Sequence, residues 1–313
     1  MSLSEWMLLV ILSVLWGGSF FFNKIALEEL PPLTLVLARV SLAAIALTAF
    51  VFLQGKQKQA SLNLWREFLV MGALNNLIPF SLIVWGQTHI DSSLAAILNA
   101  TTPVFTVVLA HVLTQDERLT PNRLVGVFLG LCGVVVLIGA DALRGLSLNS
   151  LGQVAILGAA CSYGCAGIYG RRFKTIPSTV AAAGMLTGTT IMMLPLVLIL
   201  EQPWTLNPSA VTWGAVLGLS LLSTAIAYLL YFRILAVAGA TNLMLVTFLI
   251  PVSAIVLGVF VLGEQLQWTE LMGMVLILAS LAAIDGRLVS RIQSTPALRA
   301  FRKWVREQIG KPL

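Results

Sequence analysis

The chain of 313 residues is 58% hydrophobic and only 10% charged, with a net charge of +6. Soluble domains are about 45–50% apolar and about 25% charged, so this composition excludes a water-soluble globular fold. It also leaves no polar stretch long enough for a soluble catalytic or ligand-binding domain.

A bilayer core about 30 Å thick takes roughly 20 helical residues per crossing. Apolar runs between charged or Pro/Gly-rich breaks predict ten crossings, at 5–23, 32–53, 67–87, 93–114, 122–140, 150–170, 178–200, 209–232, 240–262 and 268–285. The expected fold is an all-α integral membrane protein with ten transmembrane helices. Neither a basic leader nor an A-x-A site accompanies the first run, which continues through Trp16, Gly17 and Gly18, so a cleaved signal peptide is not expected.

The second crossing contains Arg39, about eight residues in and so roughly 10–12 Å below the outer boundary at 1.5 Å per residue. Burying an Arg there costs about 2.5–3.5 kcal/mol on insertion scales. Its planar guanidinium could fork onto a substrate carboxylate, or it could snorkel to the interface or hold carbonyls freed at a helix break. The third crossing carries Asn75 and Asn76 near its middle, with Phe80 and Trp85 beyond. The eighth carries Ser223 and Thr224 near its middle, then Tyr228 and Tyr231. Unpaired polar groups in hydrocarbon are expensive, so both pairs must face protein or water. Pro103 in the fourth crossing and Pro251 in the ninth each remove a helix hydrogen bond and collide with the preceding turn. Thr101, Thr102 and Thr247 can satisfy the freed carbonyls, leaving either hinges or static kinks. Glycines spaced by four, Gly126/Gly130, Gly184/Gly188 and Gly214/Gly218, predict close-packing faces. Cys132, Cys161 and Cys165 fall inside crossings with no His or Cys pair to complete a metal set. They read as packing residues, and no metal or cofactor is expected.

Lys and Arg in short loops set membrane orientation. With the N-terminus inside, sixteen basic residues fall on the cytoplasmic side, among them Lys56, Lys58, Arg118, Arg171, Arg172, Lys174 and seven in the tail, against Lys24 and Arg144 outside. Both termini are therefore expected in the cytoplasm, with the protein in the cell (inner or plasma) membrane. In the basic tail, 287–313, Leu298, Phe301, Val305 and Ile309 share one helical face with cations on the other. It could lie on anionic membrane lipid or act only as a positive-inside stop. Nucleic acid is not an expected partner, because these charges adjoin a membrane and no aromatic base platform accompanies them.

The two halves resemble each other. Trp16-Gly17 matches Tyr163-Gly164 at an offset of 147, which also carries Lys24 onto Arg171, Glu117 onto Glu264 and Gly126 onto Gly273. Pro103 matches Pro251, Asn75-Asn76 matches Ser223-Thr224, and Phe80 matches Tyr228, all at 148. Five crossings per half is odd, so the second half enters the membrane from the opposite side. The expected organisation is an inverted pair of five-helix repeats, 1–141 and 150–286, followed by the tail. This layout resembles the drug/metabolite transporter superfamily, specifically its EamA-type ten-helix members, over residues 6–286. The resemblance rests on the early W-G-G-S-F with Lys24 behind it, on Arg39, and on the P-x(12–13)-E-x(8)-G signature in both halves. It implies export of amino acids or other small metabolites; some members, the YddG-type proteins, export aromatic amino acids. One departure is Leu186, which stands at offset 147 from Arg39, so only one half supplies a buried cation.

Inverted repeats meeting at a midplane site are the physical signature of a carrier working by alternating access. The expected substrate site comprises Trp16, Arg39, Asn75, Asn76, Phe80, Tyr163, Ser223, Thr224 and Tyr228, although the polar pairs could equally serve interhelical packing. An amide-and-ring lining favours a zwitterionic solute with a large apolar or aromatic side chain. A phosphorylated solute would need several buried cations. None of the 13 acids falls at mid-crossing, so facilitated export is expected rather than proton antiport, which commonly uses a buried carboxylate. No H-E-x-x-H, G-x-S-x-G or paired mid-depth carboxylates suggest an enzyme. The alternatives are a multidrug or other metabolite exporter and a membrane scaffold that moves nothing. The small-molecule carrier is expected to act as a monomer.

Overall fold

The computed structural model describes residues 2–55, 62–115, 119–139 and 147–286. Lys56, Lys58, Glu117, Arg118, Arg144 and the tail 287–313, all used above, lie outside the described residues. The fold is all-α. Helix α1 (Leu3–Ala26) and α2 (Pro32–Leu53) are single crossings. The third crossing joins α3 (Leu62–Gly72) to α4 (Ile78–Gly86), and the fourth is split into α5 (Ser92–Asn99) and α6 (Thr102–Leu113). Then come α7 (Pro121–Ile138), α8 (Leu148–Tyr169), α9 (Ser178–Leu200), and an eighth crossing of α10 (Ala210–Leu217) and α11 (Ala227–Leu243). The chain closes with α12 (Val246–Val261) and α13 (Trp268–Asp285).

Among the described residues nine helical stretches are long and apolar enough to cross a membrane, and Val246–Val261 is a shorter tenth. Their outer faces carry large apolar side chains, such as Ile45, Val135, Ile199 and Phe260, exposed as a lipid-facing surface requires. The second, seventh and tenth crossings have the bounds that the sequence predicts. The eighth and ninth do not. Helix α11 continues past 232, with Gly239 a kink at φ 79° inside it, and the ninth helix begins only at Val246.

Successive crossings alternate in direction. One end of the bundle, the near end, carries Leu3, the 170–177 turn and Asp285. The far end carries the connections at 27–31, 87–91, 201–209 and 262–267. Helix α1 packs on α12 and α8 packs on α6, while α2 packs on α9 and α7 on α13. Small residues make these approaches possible. A methyl on Gly126 would meet Ile284 and one on Gly130 would meet Ser280 and Val104. Gly184 faces Phe68 and Gly218 faces Phe22 in the same way, whereas Gly214 has open space beside it and is not a packing glycine.

At the far end, helix N-termini are capped by carboxylates from the opposite half. Pro32 opens α2 with no side-chain cap of its own, leaving free donors at Leu33 and Thr34. Glu201 takes both, at 3.0 and 2.6 Å, together with the Thr34 hydroxyl at 2.8 Å. Glu264 accepts from the backbone of Ser92 and Ser93 at the start of α5, at 2.8 and 3.0 Å, and from both hydroxyls. Glu29 accepts from the Ser209 backbone at 2.6 Å and the Thr212 hydroxyl at 2.7 Å, at the start of α10. Lys24 pairs with Asp91 at 3.6 Å beside them. Just inside, the Asn23 amide donates to Gln87 at 2.8 Å and Gln87 donates to the Phe20 carbonyl at 2.9 Å, all buried. These bonds tie the far end shut.

Candidate functional site

The third and eighth crossings share an irregularity. Residues 73–77 and 218–226 wind as π-helix between α-helical flanks. A π turn inserts an extra residue and redirects the side chains around it, often where a helix lines a site. Asn75 and Asn76 lie in the first, Ser223 and Thr224 in the second, so both polar pairs matched by the repeat sit on π turns. The Thr224 hydroxyl donates to the Leu219 carbonyl five residues back, at 2.9 Å.

Between the halves lies a cavity of about 720 Å³, within the span of about 300–1,000 Å³ usual for small-molecule sites. It runs from Arg39, Asn99 and Ser223 at mid-depth down to Phe173, Lys174 and Ser178 at the near end. Trp16, Arg39, Asn75, Phe80, Tyr163, Ser223, Thr224 and Tyr228, eight of the nine expected substrate residues, line it. Asn76 does not: it is fully buried, one layer behind the wall. Its Oδ1 accepts from the Tyr228 hydroxyl at 3.2 Å and its amide donates to Thr189 at 3.3 Å. Asn75 in turn donates to the Tyr228 oxygen at 2.8 Å. The two asparagines therefore hold Tyr228, one from the wall and one from behind it.

Arg39 is 5% exposed. Its Nε donates to Thr224 Oγ1 at 2.9 Å, and its Cζ sits 3.7 Å from the centroid of the Phe80 ring. The ring face offers a cation–π contact that partly offsets the desolvated charge. Among the described residues no carboxylate pairs with it and the terminal guanidinium nitrogens have no hydrogen-bond partner. Arg39 thus bridges α2 to the second π turn and still presents unused donors to the cavity. The cavity's charged lining residues are Arg39 and Lys174; no described Asp or Glu lines it.

Rings form a continuous surface on one side. Trp16 meets Tyr231 at 5.6 Å between centroids, Tyr231 meets Phe232 edge-on at 5.2 Å, and Phe232 stacks on Tyr228 at 6.2 Å. Tyr231, close enough to a predicted helix end to suggest an interface ring, lines the cavity instead. Trp85 is the interface type: it is partly exposed at the far end and packs on His89.

The two prolines differ. Pro103 lines the cavity in the first turn of α6, directly after the break at Ala100 and Thr101, where Thr101 donates to the Leu98 carbonyl and Thr102 to that of Asn99. Pro251 is buried inside the continuous α12 and is not among the lining residues. Asn99, Ser19, Met71, Phe173 and Lys174 line the cavity without having been singled out from sequence. Asn99 carries a signal that could have found it: an amide in the same broken helix, four residues before Pro103.

A ten-helix membrane fold around a cavity lined from both halves is the frame of a polytopic membrane protein, and the family it belongs to makes it a transporter. The chain belongs to the EamA-like transporter family, which matches residues 4–139 and 150–284. It is 26% identical over 274 residues to YoaV, an uncharacterized transporter of Bacillus subtilis strain 168, covering 86% of this chain and 92% of that one. It is 28% identical over 263 residues to YedA, an uncharacterized inner membrane transporter of Escherichia coli strain K12, covering 83% of each. A probable amino-acid metabolite efflux pump of the same E. coli strain is 27% identical over 291 residues, covering 90% of this chain and 94% of that one. One solved crystal structure superposes with a TM-score of 0.66 at 20% identity, covering 94% of this chain and 100% of the other, and shares the fold.

Proposed function

We propose that this transporter exports amino acids with a large apolar or aromatic side chain from the cytoplasm, by alternating access between its halves 1–141 and 150–286. The observation that carries this reading is Arg39, a buried guanidinium with no acidic partner among the described residues, set among rings in a cavity that both halves line. A buried charge left unpaired is costly, and a planar fork beside aromatic faces suits a carboxylate attached to an apolar body. The likeness to a protein named as a probable amino-acid metabolite efflux pump supports the same solute class.

The cavity reaches the near end, where Arg171, Arg172 and Lys174 lie. The positive-inside rule assigns that end, and with it both termini, to the cytoplasm. Carboxylate caps tie the far end, which would make this the state that loads from inside. The fourth crossing is broken while its repeat counterpart, the ninth, runs unbroken through Pro251. An asymmetry of that kind between related halves is what exchange of access requires. With no acid among the described lining residues, the reading is facilitated export.

Counterflow into liposomes tests it. Liposomes that contain the purified protein and are preloaded with unlabelled phenylalanine should accumulate labelled phenylalanine or leucine transiently. No counterflow with any amino acid would sink the proposal.

A further inference from the structure

The cavity has an anion reader in Arg39, but an amino acid also brings an ammonium, and no described carboxylate lines the cavity to meet it. The ammonium must then find neutral acceptors. Two lining side chains carry buried polar atoms with no partner among the described residues: Oδ1 of Asn99 and Oγ of Ser223. The hydroxyl can rotate to donate or accept, whereas a carbonyl oxygen can only accept. Asn99 Oδ1 is therefore a buried acceptor in the cavity lining that lacks a donor. Leaving such a group unsatisfied costs about 1–3 kcal/mol, and buried polar atoms left this way in a native protein call for an explanation.

The position of Asn99 adds to this. It is the last residue of α5, where the helix ends ahead of the break at Ala100 and Thr101. The backbone carbonyls of that end are already taken, those of Leu98 and Asn99 by the Thr101 and Thr102 hydroxyls, which leaves the Asn99 side chain as the free acceptor there. Depth agrees as well. Arg39 lies seven residues from Pro32 and Asn99 seven residues from Ser92, both helices starting at the far end. At 1.5 Å per residue their Cα atoms sit about 10–11 Å in from that end, level with each other across the head of the cavity.

We propose that Asn99 reads the amino group: its Oδ1 receives the ammonium of an α-amino acid whose carboxylate lies on Arg39. This rests on the transport reading above and goes beyond it, since it assigns the residue that separates an amino acid from a simple carboxylic acid. A site built to bond a polar group discriminates strongly against the analogue lacking it, because the site's own polar atoms are then left unpaired. The Asn99 carboxamide, rather than a charged acid, would meet that group without trapping it.

The test compares L-phenylalanine with 3-phenylpropionate, which has the same ring and carboxylate but no amine, by calorimetric titration of the full-length detergent-purified protein. Wild type should bind phenylalanine at least about 10-fold more tightly, the ratio worth about 1.4 kcal/mol. Asn99→Ala should bring the two to parity, and Asn99→Asp, which keeps an acceptor, should keep the preference. Wild type with no preference between the two overturns the assignment while leaving the carboxylate-binding cavity standing. An undiminished preference in Asn99→Ala also overturns it. Binding of neither compound by wild type overturns the assignment and the transport reading together.

Discussion

Glu264, in the connection between α12 and α13, closes over Ser93 in the first turn of α5. One carboxylate accepts from the backbone and hydroxyl of both Ser92 and Ser93, and Gly258 leaves the room, since a methyl there would collide with Glu264 and Ser93 alike. The bonds join α5 to a connection in the other half, so the far end could open only by breaking them. Burial pushes the Glu264 carboxyl upward, but the hydrogen bonds from Ser92 and Ser93 outweigh it and hold the group below the ordinary value of 4.5. Glu29 is lowered too, chiefly by its bond from the Ser209 backbone. A carboxylate depressed in the folded state contributes stability that is complete above its unfolded value and is lost as pH falls through the folded one. Thermal melts should therefore be flat from neutral pH to about 5 and fall below about 4.5. Glu264→Gln should lower the melt at pH 7 by about 1–3 kcal/mol and flatten that acid limb. An acid limb unchanged in Glu264→Gln would show that other groups set it.

Arg39 makes two kinds of contact, and they predict different losses. Its bond to Thr224 holds α2 against the eighth crossing and its seat on Phe80 holds it against the third, while its free terminal nitrogens face the cavity. Arg39→Lys keeps the charge but loses the fork. Affinity for phenylalanine should drop about 10-fold in Arg39→Lys and more in Arg39→Ala, on the scale of about 1.4 kcal/mol per tenfold. The melting temperature of Arg39→Lys should stay near wild type. Titration and a melt on the same preparations decide between the roles. Unchanged binding with a lowered melt would make Arg39 a helix anchor only.

Asn75 and Asn76 are adjacent but do different things. Asn76 is sealed behind the wall between Tyr228 and Thr189, so Asn76→Ala removes one hydrogen bond from each, while Tyr228 keeps Asn75 and Thr189 keeps the Gly72 and Met185 carbonyls. It should cost about 1–3 kcal/mol of stability and weaken solute binding only through Tyr228. Asn75→Ala, at the wall, should weaken binding with a smaller effect on the melt. Equal effects of the two substitutions on stability would show that the π turn does not separate them.

The spans were legible because Pro, Gly and charge punctuate the apolar runs: Pro32, Pro177 with Ser178, and Gln267 with Trp268 open helices where the sequence says they should. The site was legible through the repeat, which singles out Asn75, Ser223, Phe80 and Tyr228 against an apolar background. Which of Asn75 and Asn76 faces the cavity was not legible. A π turn shifts the angular register by a residue, and an all-apolar helix gives no face from which to notice. Asn99 was hidden for a different reason. Only the three-dimensional packing shows that its acceptor has been left without a donor. Gly214 shows the reverse error: of the spaced pair only Gly218 packs, on Phe22, and Gly214 has nothing against it.

The last prediction concerns coupling. Proton-driven carriers commonly use a buried carboxylate that binds a proton or the solute by turns. The lining described here offers Arg39 and Lys174 as its charged groups, and the carboxylates that link the halves stand at the far end as helix caps, outside the cavity. The solute gradient is then the driving force that the cavity can use. Phenylalanine uptake by liposomes containing the protein should proceed at the same initial rate with and without a pH gradient, and should stop at equal concentrations on the two sides. Accumulation beyond equality that vanishes when the gradient is collapsed would show that a proton travels with the solute. The three far-end caps, Glu29, Glu201 and Glu264, would then be the first carboxylates to replace by glutamine, because opening that end uncovers all three.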